Sequence, residues 1–252
     1  MTDVPETHPR YLSLRTRDDI VAGVEKGITS PQGLIAHGRG EAYDYLLGEE
    51  TGPWADRAIQ AAAAALIIAD RPVISVNGNA AALAPAGLVA LSEATGAPLE
   101  VNIFHVSSDR ELAIAEHLHV YGATEVLLPN SDGPTLDHID SNRRFVNPEG
   151  ILKSDWVFVP MEDGDRCEAL RKMGKDVITV DLNPLSRTAH TATITIVDNL
   201  VRALPRLVES VRGLEEYRNA CRREQALRAY AHAETLSEAE AAIRGIEGEG
   251  VG

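Results

Sequence analysis

Residues 176–199, DVITVDLNPLSRTAHTATITIVDN, decide the fold. Val177 to Val180 are all β-branched, which suits a strand buried on both faces. A polar loop over 181–192 follows, then a second short strand over 193–197, then Asp198, Asn199 and the start of a long helix. The loop gathers Asp181, Asn183, Ser186, Arg187 and Thr188 directly after the C-terminal end of a central strand. In open α/β sheets ligands bind at that edge. The mixture suits a nucleotide: a carboxylate or amide for ribose or base, an arginine for phosphate, small hydroxyls between them. An ordinary solvated connection has a similar composition, and that reading stays open.

Working upstream, the same rhythm repeats. Strands are expected over 73–76, 99–104, 125–128 and 155–160. Helices are expected over 85–95, from Ser108 to about 121, and over 166–173, the last closed by Gly174. Ser108-x-x-Glu111 reads as a capping box. Alternating strands and helices predict an α/β fold with a parallel, doubly wound sheet. The stretch 129–151 is long for a connection, and such loops tend to be functional or mobile.

Before the sheet, helices are expected over 14–26, 31–47 and 54–69. Ser30-Pro31 supplies an N-cap and a proline at the first helical position of the second. Residues 1–12 read as a loosely held arm. After the sheet, 199–236 is helical in pattern, with Pro205 a kink or boundary, and 245–252 reads as disordered. The expected organisation is an N-terminal helical part (1–70) forming one compact domain with the sheet (71–209), then a helical extension and tail (210–252).

Composition narrows the function. The chain has 252 residues, 44% hydrophobic and only 4% aromatic, with net charge −14. An acidic surface disfavours a polyphosphate backbone, and few aromatics leave no stacking platform, so no nucleic-acid partner is expected. The acidic excess, the scarcity of lysine relative to arginine and the Ala-rich helices fit a salt-loving source. At ~1 M salt the Debye length is about 3 Å, so self-repulsion costs little. Cys167 and Cys221 have no metal-type spacing, which fits a reduced cytoplasmic protein. No apolar run approaches the ~20 residues needed to span a bilayer, and the N-terminus does not read as a signal peptide.

Several residues stand out against bland alternatives. Gly38 and Gly40 flank Arg39 inside the second helix, and each glycine costs ~1 kcal/mol relative to alanine. Either Arg39 is presented to an anion there, or the glycines allow tight helix packing. Asn77-Gly78-Asn79 occupies the place of a phosphate loop without matching GxGxxG or GxxxxGK[ST]; a tight turn is the alternative. His105 follows a strand at the same sheet edge, as a base or phosphate ligand or neither. Arg143-Arg144 lie in the long loop, suited to clamping a phosphate or simply solvated. Glu162, Asp163 and Asp165 offer carboxylates for Mg²⁺, but a plain helix N-cap is the favoured reading.

Four stretches carry a resemblance: HPRYLSLRTRDDIVAGVEKGITSPQGLIAHGRGEAYDYLLGE (8–49), PVISVNGNAAAL (72–83), PMEDGDR (160–166) and DLNPLSRTAHTATITIVDN (181–199). Together they resemble the archaeal phosphopantothenate synthetase family, the 4-phosphopantoate–β-alanine ligases. The resemblance covers about 8–209; the helical extension lies outside it. It implies a homodimer with a Rossmann-like domain that joins 4-phosphopantoate to β-alanine with ATP and Mg²⁺. The products are 4′-phosphopantothenate, AMP and diphosphate, in coenzyme A biosynthesis. It places ATP on the residues matching Arg17, Arg39, Asp181, Leu182, Asn183, Arg187, Thr188, Asn199 and Leu200. The residues themselves single out all of these except Arg17, which reads as part of a helix start, and the two leucines. Asn77, Asn79, His105, Arg143 and Arg144 are candidates for the acidic substrate, and no acid or base is assignable. An acyl-adenylate is the expected intermediate, because a carboxylate and an amine do not condense unaided in water. A non-catalytic ATP sensor is the alternative; a nicotinamide enzyme is weak without GxGxxG.

Overall fold

The computed structural model describes residues 4–8, 10–104, 107–216 and 220–245, with the backbone alone at 215, 216 and 220–223. The described residues include six strands: β1 (Pro72–Val76), β2 (Leu99–Val101), β3 (Val126–Leu127), β4 (Trp156–Phe158), β5 (Asp176–Val180) and β6 (Ile194–Ile196). They form one parallel sheet in the order β3-β2-β1-β4-β5-β6. The chain builds outward from β1 to one edge, then returns beside β1 with β4 and builds to the other. That reversal opens a crevice at the C-terminal ends of β1 and β4, where doubly wound sheets bind ligands.

Around the sheet lie α1 (Tyr11–Glu25), α2 (Pro31–Leu46), α3 (Pro53–Ile68), α4 (Gly78–Leu83), α5 (Pro85–Thr95) and α6 (Ser108–Val120). They are followed by α7 (Gly164–Lys172), α8 (Arg187–Thr191), α9 (Leu200–Glu216), α10 (Ala220–Ala229) and α11 (His232–Ile243). Successive strand residues face opposite sides of a sheet. Ile74, Val76, Phe158, Ile178, Val180, Ile194 and Ile196 therefore join one core with α3, α5 and α9. Val73, Val157, Val159 and Val177 join a second core with α7 and the segment around Leu136, Val146 and Ile151. Burying one such side chain contributes about 1.5–3 kcal/mol. Ala61 to Ala65 are fully buried where α3 lies against α9 and β6, because small side chains let the backbones approach.

The structure corrects several expected boundaries. β2 stops at Val101, short of 104, and β3 and β4 shrink to their central residues. Asn77-Gly78-Asn79, for which a tight turn was the alternative, open a helix, α4, that reaches Leu83, with the Asn77 side chain accepting the Ala80 N–H at 3.0 Å as N-cap. The capping box does not form: Ser107 occupies the N-cap of α6 without a side-chain bond, and Glu111 is buried. Pro205 lies inside α9 without ending it. The stretch after 199 is not one long helix but α9, α10 and α11. These last two fold back: α10 packs on α3, and α11 on α2, α3, α8 and β6. The expected tail over 246–252 lies outside the described residues.

Candidate functional site

The β5–α8 loop is held by its own side chains. Asp181 accepts the Asn183 N–H at 2.9 Å and also accepts from the Ser186 hydroxyl. Ser186 in turn accepts the Ala189 N–H at 2.9 Å, capping α8. Burial pushes the Asp181 carboxyl up, against these hydrogen bonds and the nearby charge of Arg39. The Thr188 hydroxyl donates to the Glu162 carbonyl at 2.8 Å, and the exposed Arg187 pairs with Asp165. Leu182 packs on a small cluster with Leu47, Val197, Leu236 and Ala239, so α11 props this loop from behind.

Arg39 lies exposed on α2, which passes through Gly38 and Gly40 without a break. A side chain at Gly38 would meet nothing within 4 Å, and one at Gly40 would lie 3.5 Å from Leu182. Tight helix packing is therefore not what these glycines serve. They leave the surface beside Arg39 and the loop open.

At the start of α9, Asn199 accepts the Val201 N–H at 3.2 Å and donates to Asp44 at 2.7 Å. Asp44 and Asp198 share the Arg202 guanidinium, and Thr51 donates to Asp198 at 2.7 Å. Burial works against the Arg202 charge, yet its bonds to Asp44 and the charge of Asp198 outweigh it and raise its pKa. This network ties α2 to α9. Only the Asp198–Arg202 spacing of four hinted at it in the sequence, and Asp44 had no local signal. The Leu200 side chain is buried in the main core, so only its backbone is offered to a ligand. Arg17 is not at a helix start but within α1. It donates to Glu41 at 2.7 Å and to the Tyr45 hydroxyl at 3.3 Å on α2, and its bond to Glu41 raises its pKa.

A cavity of about 260 Å³ fills the β1–β4 crevice, with Ser30, Gly33, Asn77, Asn79, Met161 and Arg143 on its walls. Both asparagines are tied to the frame. Asn77 donates to the carbonyls of Pro160 at 2.8 Å and Met161 at 3.2 Å, which holds Met161 at φ 54°. A non-glycine residue there costs about 1–3 kcal/mol and marks a strained, over-determined site. Asn79 donates to the Gly33 carbonyl at 3.0 Å and accepts from Thr29 at 2.5 Å. A Cβ on Gly33 would fall 2.3 Å from the Asn79 oxygen, so the start of α2 is locked against α4.

Arg143 and Arg144 do not act as a pair. Arg144 is exposed and lies 4.9 Å over the Phe145 ring, while Arg143 is buried. Glu162 is sandwiched between Arg143 and Arg166, the latter at 2.7 Å. Arg166 also donates to Ser75 at 3.1 Å, and Arg143 to Asp163 at 2.9 Å. Burial pushes both guanidinium pKa values down to about 10, with the Arg166 charge adding to the effect on Arg143. The Nε of each has no hydrogen-bond partner among the described residues. Arg143 and Arg166 share the buried Glu162, while Asp163 pairs with Arg143 and the charge of the buried Glu100 acts on Arg166; of the two cations Arg143 is the one that borders the cavity.

The 129–151 segment is no loose loop. Asn102 donates to the carbonyls of Arg143 at 3.1 Å and Phe145 at 3.2 Å. Glu100 accepts the N–H groups of Asn147 at 2.8 Å and Ile151 at 2.6 Å, against Gly150, where a Cβ would fall 1.9 Å from its carboxylate. Lys175 donates to the carbonyls of Leu152 at 2.9 Å and Ser154 at 2.6 Å. Burial pushes the Glu100 carboxyl up to about 7, against those two N–H groups and the charges of Arg166 and Lys175. This buried polar spine holds Arg143 in the cavity wall.

With Glu162 committed to two arginines, the acidic turn forms no cation cage. Among the described residues, no group of three or more His, Cys, Asp or Glu is placed to hold a metal. Asp163 sits at the N-cap of α7, but its carboxylate caps no N–H of that helix and accepts from Arg143 instead. His105 lies outside the described residues.

Comparison with known proteins matches residues 54–246 to the phosphopantothenate/pantothenate synthetase family. That match runs through α10 and α11, beyond the end of the resemblance read from the sequence. A protein of Methanosarcina mazei named 4-phosphopantoate–β-alanine ligase is 52% identical over 239 residues, covering 95% of this chain and 93% of its own. Proteins of the same name from Thermococcus onnurineus and Thermococcus kodakarensis are 52% and 51% identical, each over 86% of this chain and 83% of their own.

Proposed function

Because the chain belongs to the phosphopantothenate/pantothenate synthetase family, we propose that it joins 4-phosphopantoate to β-alanine at the expense of ATP. The enzyme is a ligase. It forms 4′-phosphopantothenate in coenzyme A biosynthesis and releases AMP and diphosphate. The observation that carries the geometry is the placement of α2. Its first turn walls the β1–β4 cavity at Gly33, and its middle meets the β5–α8 loop at Gly40. Those points are about 10 Å apart along a helix rising 1.5 Å per residue. ATP on the loop and acid in the cavity thus lie within reach of each other.

In this reading Asp181, Leu182, Asn183, Arg187, Thr188, Asn199 and the Leu200 backbone hold the nucleotide. Arg39 faces its phosphates, and Arg17 orders α2 through Glu41. Arg143 attracts the phosphate of 4-phosphopantoate, while Asn77 and Asn79 fix the walls rather than reach the substrate. Charge building at the α-phosphate and on the departing diphosphate is offset by arginines already in place, so little reorganisation is needed at the moment of reaction. The acid carboxylate attacks the α-phosphate and displaces diphosphate, giving the adenylate; the free amine then attacks the acyl carbon, displacing AMP and losing a proton. The residues present make no Mg²⁺ cage of their own, so Mg²⁺ arrives with the triphosphate, through which it is mostly bound.

The exposed apolar side chains of Ile35 and Leu46, which the helical repeat puts on one side of α2, support a homodimer. The buried free thiol of Cys167 and the absence, among the described residues, of a helix able to cross a membrane fit a cytoplasmic enzyme. The net charge of −14 supports a halophilic setting. The test is AMP release with ATP, Mg²⁺, 4-phosphopantoate and β-alanine, each omitted in turn, at high and low KCl. AMP that forms only with all four supports the reading. ADP would replace the adenylate with an acyl phosphate, and no turnover at either salt would overturn the assignment.

A further inference from the structure

A second, smaller cavity of about 120 Å³ lies at the end of β2, lined by Asn102, Ile103, Ser108, Glu111, Asn142 and Phe145 among others. It shares Ile103 with the β1–β4 cavity. Two of the residues that line it each carry a buried acceptor with no partner among the described residues: the Asn102 Oδ1 and the Glu111 Oε1. Asn102 is 2% exposed and Glu111 8%. The Asn102 amide NH₂ is already committed to the Arg143 and Phe145 carbonyls, which fixes its oxygen as the unused end. A helix dipole favours a carboxylate in the first turn of α6, but it does not explain burying one without a donor.

We propose that this cavity is the subsite for the primary ammonium group of the amine substrate, held by Glu111 and Asn102. The proposal rests on the ligase reading for the identity of the amine as β-alanine. A carboxylate and an amide oxygen together present acceptors alone, which selects a group that carries only donors. An ammonium has three N–H bonds to give and a positive charge to offset Glu111. Burial alone pushes the Glu111 carboxyl up; an ammonium beside it would restore the charged form. The volume equals about four waters at ~30 Å³ each, room for a short amino acid. Across the sheet edge the order becomes nucleotide at β5–β6, acid at β1–β4 and amine at β2, with neighbouring stations adjoining.

The experiment measures KM for all three substrates in the full-length enzyme and in Glu111→Gln. It also titrates β-alanine and methylammonium directly by calorimetry. Losing one charge-assisted contact should weaken β-alanine about tenfold to hundredfold. KM for ATP and for 4-phosphopantoate should stay within about twofold, since neither would touch the residue. The Tm of Glu111→Gln should not fall, because an uncompensated carboxylate is removed; a residue needed only for packing would lose stability and raise every KM together. Unchanged β-alanine affinity in Glu111→Gln would overturn the proposal, as would a parallel rise in all three KM values. Displacement of methylammonium by K⁺ at equal concentration would also overturn it in favour of a simple cation site. Were the wild type to release neither AMP nor ADP, the ligase reading would fail, and the methylammonium titration would still decide whether this is an ammonium site.

Discussion

The two faces of the sheet are built from the same alternating strands yet do different work. One face presents Ile74, Val76, Leu99, Val101, Phe158, Ile178 and Val180 to α3, α5 and α9, and is apolar throughout. The other carries Ser75, Glu100, Asn102 and Thr179 among its valines and meets Arg166 and Lys175. The apolar face supplies stability without direction, because burial energy scales with area. The polar face supplies position, because each hydrogen bond fixes a particular atom. It costs stability wherever a buried group lacks a full set of partners.

The largest effects should separate these roles. Phe158→Ala on the apolar face should cost about 3–5 kcal/mol in denaturant unfolding and leave substrate KM values unchanged in the folded fraction. Glu162→Ala should cost about as much, roughly 3–5 kcal/mol, because it strands two buried arginines. It should also abolish AMP release, since Arg143 and Met161 border the cavity. Equal kinetic damage from both variants would break the contrast.

Next comes pH. Glu100 titrates near 7 in the fold and at an ordinary carboxyl pKa when unfolded, so the fold favours its neutral form. Its contribution is full below about pH 4.5 and is lost as pH rises through about 7, amounting to about 3 kcal/mol at most. Arg166 on α7 and Lys175 at the head of β5 face it and remain charged throughout that window. Glu100→Gln should flatten the stability curve between about pH 5 and pH 7. Hydrogen exchange at the Asn147 and Ile151 amides would read the same change locally; an unaltered profile would remove Glu100 from the spine.

Arg143→Met should raise KM for 4-phosphopantoate about tenfold to hundredfold and leave that for ATP near the wild-type value. The smallest structural effect belongs to the exposed loop side. Arg39→Ala should change stability by less than about 0.5 kcal/mol, as a surface substitution. It should raise KM for ATP about tenfold, the cost of one charge-assisted contact. A stability loss at Arg39 would show that α2 depends on it for more than ligand contact.

The arrangement around Asp181 was legible because its parts are close in sequence: a β-branched strand, a loop bonding to itself and a short second strand. The cost of its flanking glycines singled out Arg39, and the structure leaves it exposed with open space at Gly38. The Arg143-Arg144 doublet misled, because neighbours in a loop need not share a direction, and one turned inward to Glu162. The Ser108–Glu111 spacing misled in the same way: it fits a capping box, but Glu111 turned into the interior. The α4 helix was hidden by an Asn-Gly-Asn signal that also starts turns.

By itself the sequence determined the α/β alternation and, through four long motifs, the family. These follow from periodicity and local spacing, which neighbouring residues carry together. Only the tertiary structure decided which buried groups face one another: Asn199 with Asp44, Arg143 with Glu162, Glu100 with the Asn147 and Ile151 amides. Periodicity states which face a residue lies on, not what chain will cross above it. A buried charge finds its partner only when distant segments are packed together, and here that packing set the walls of the site.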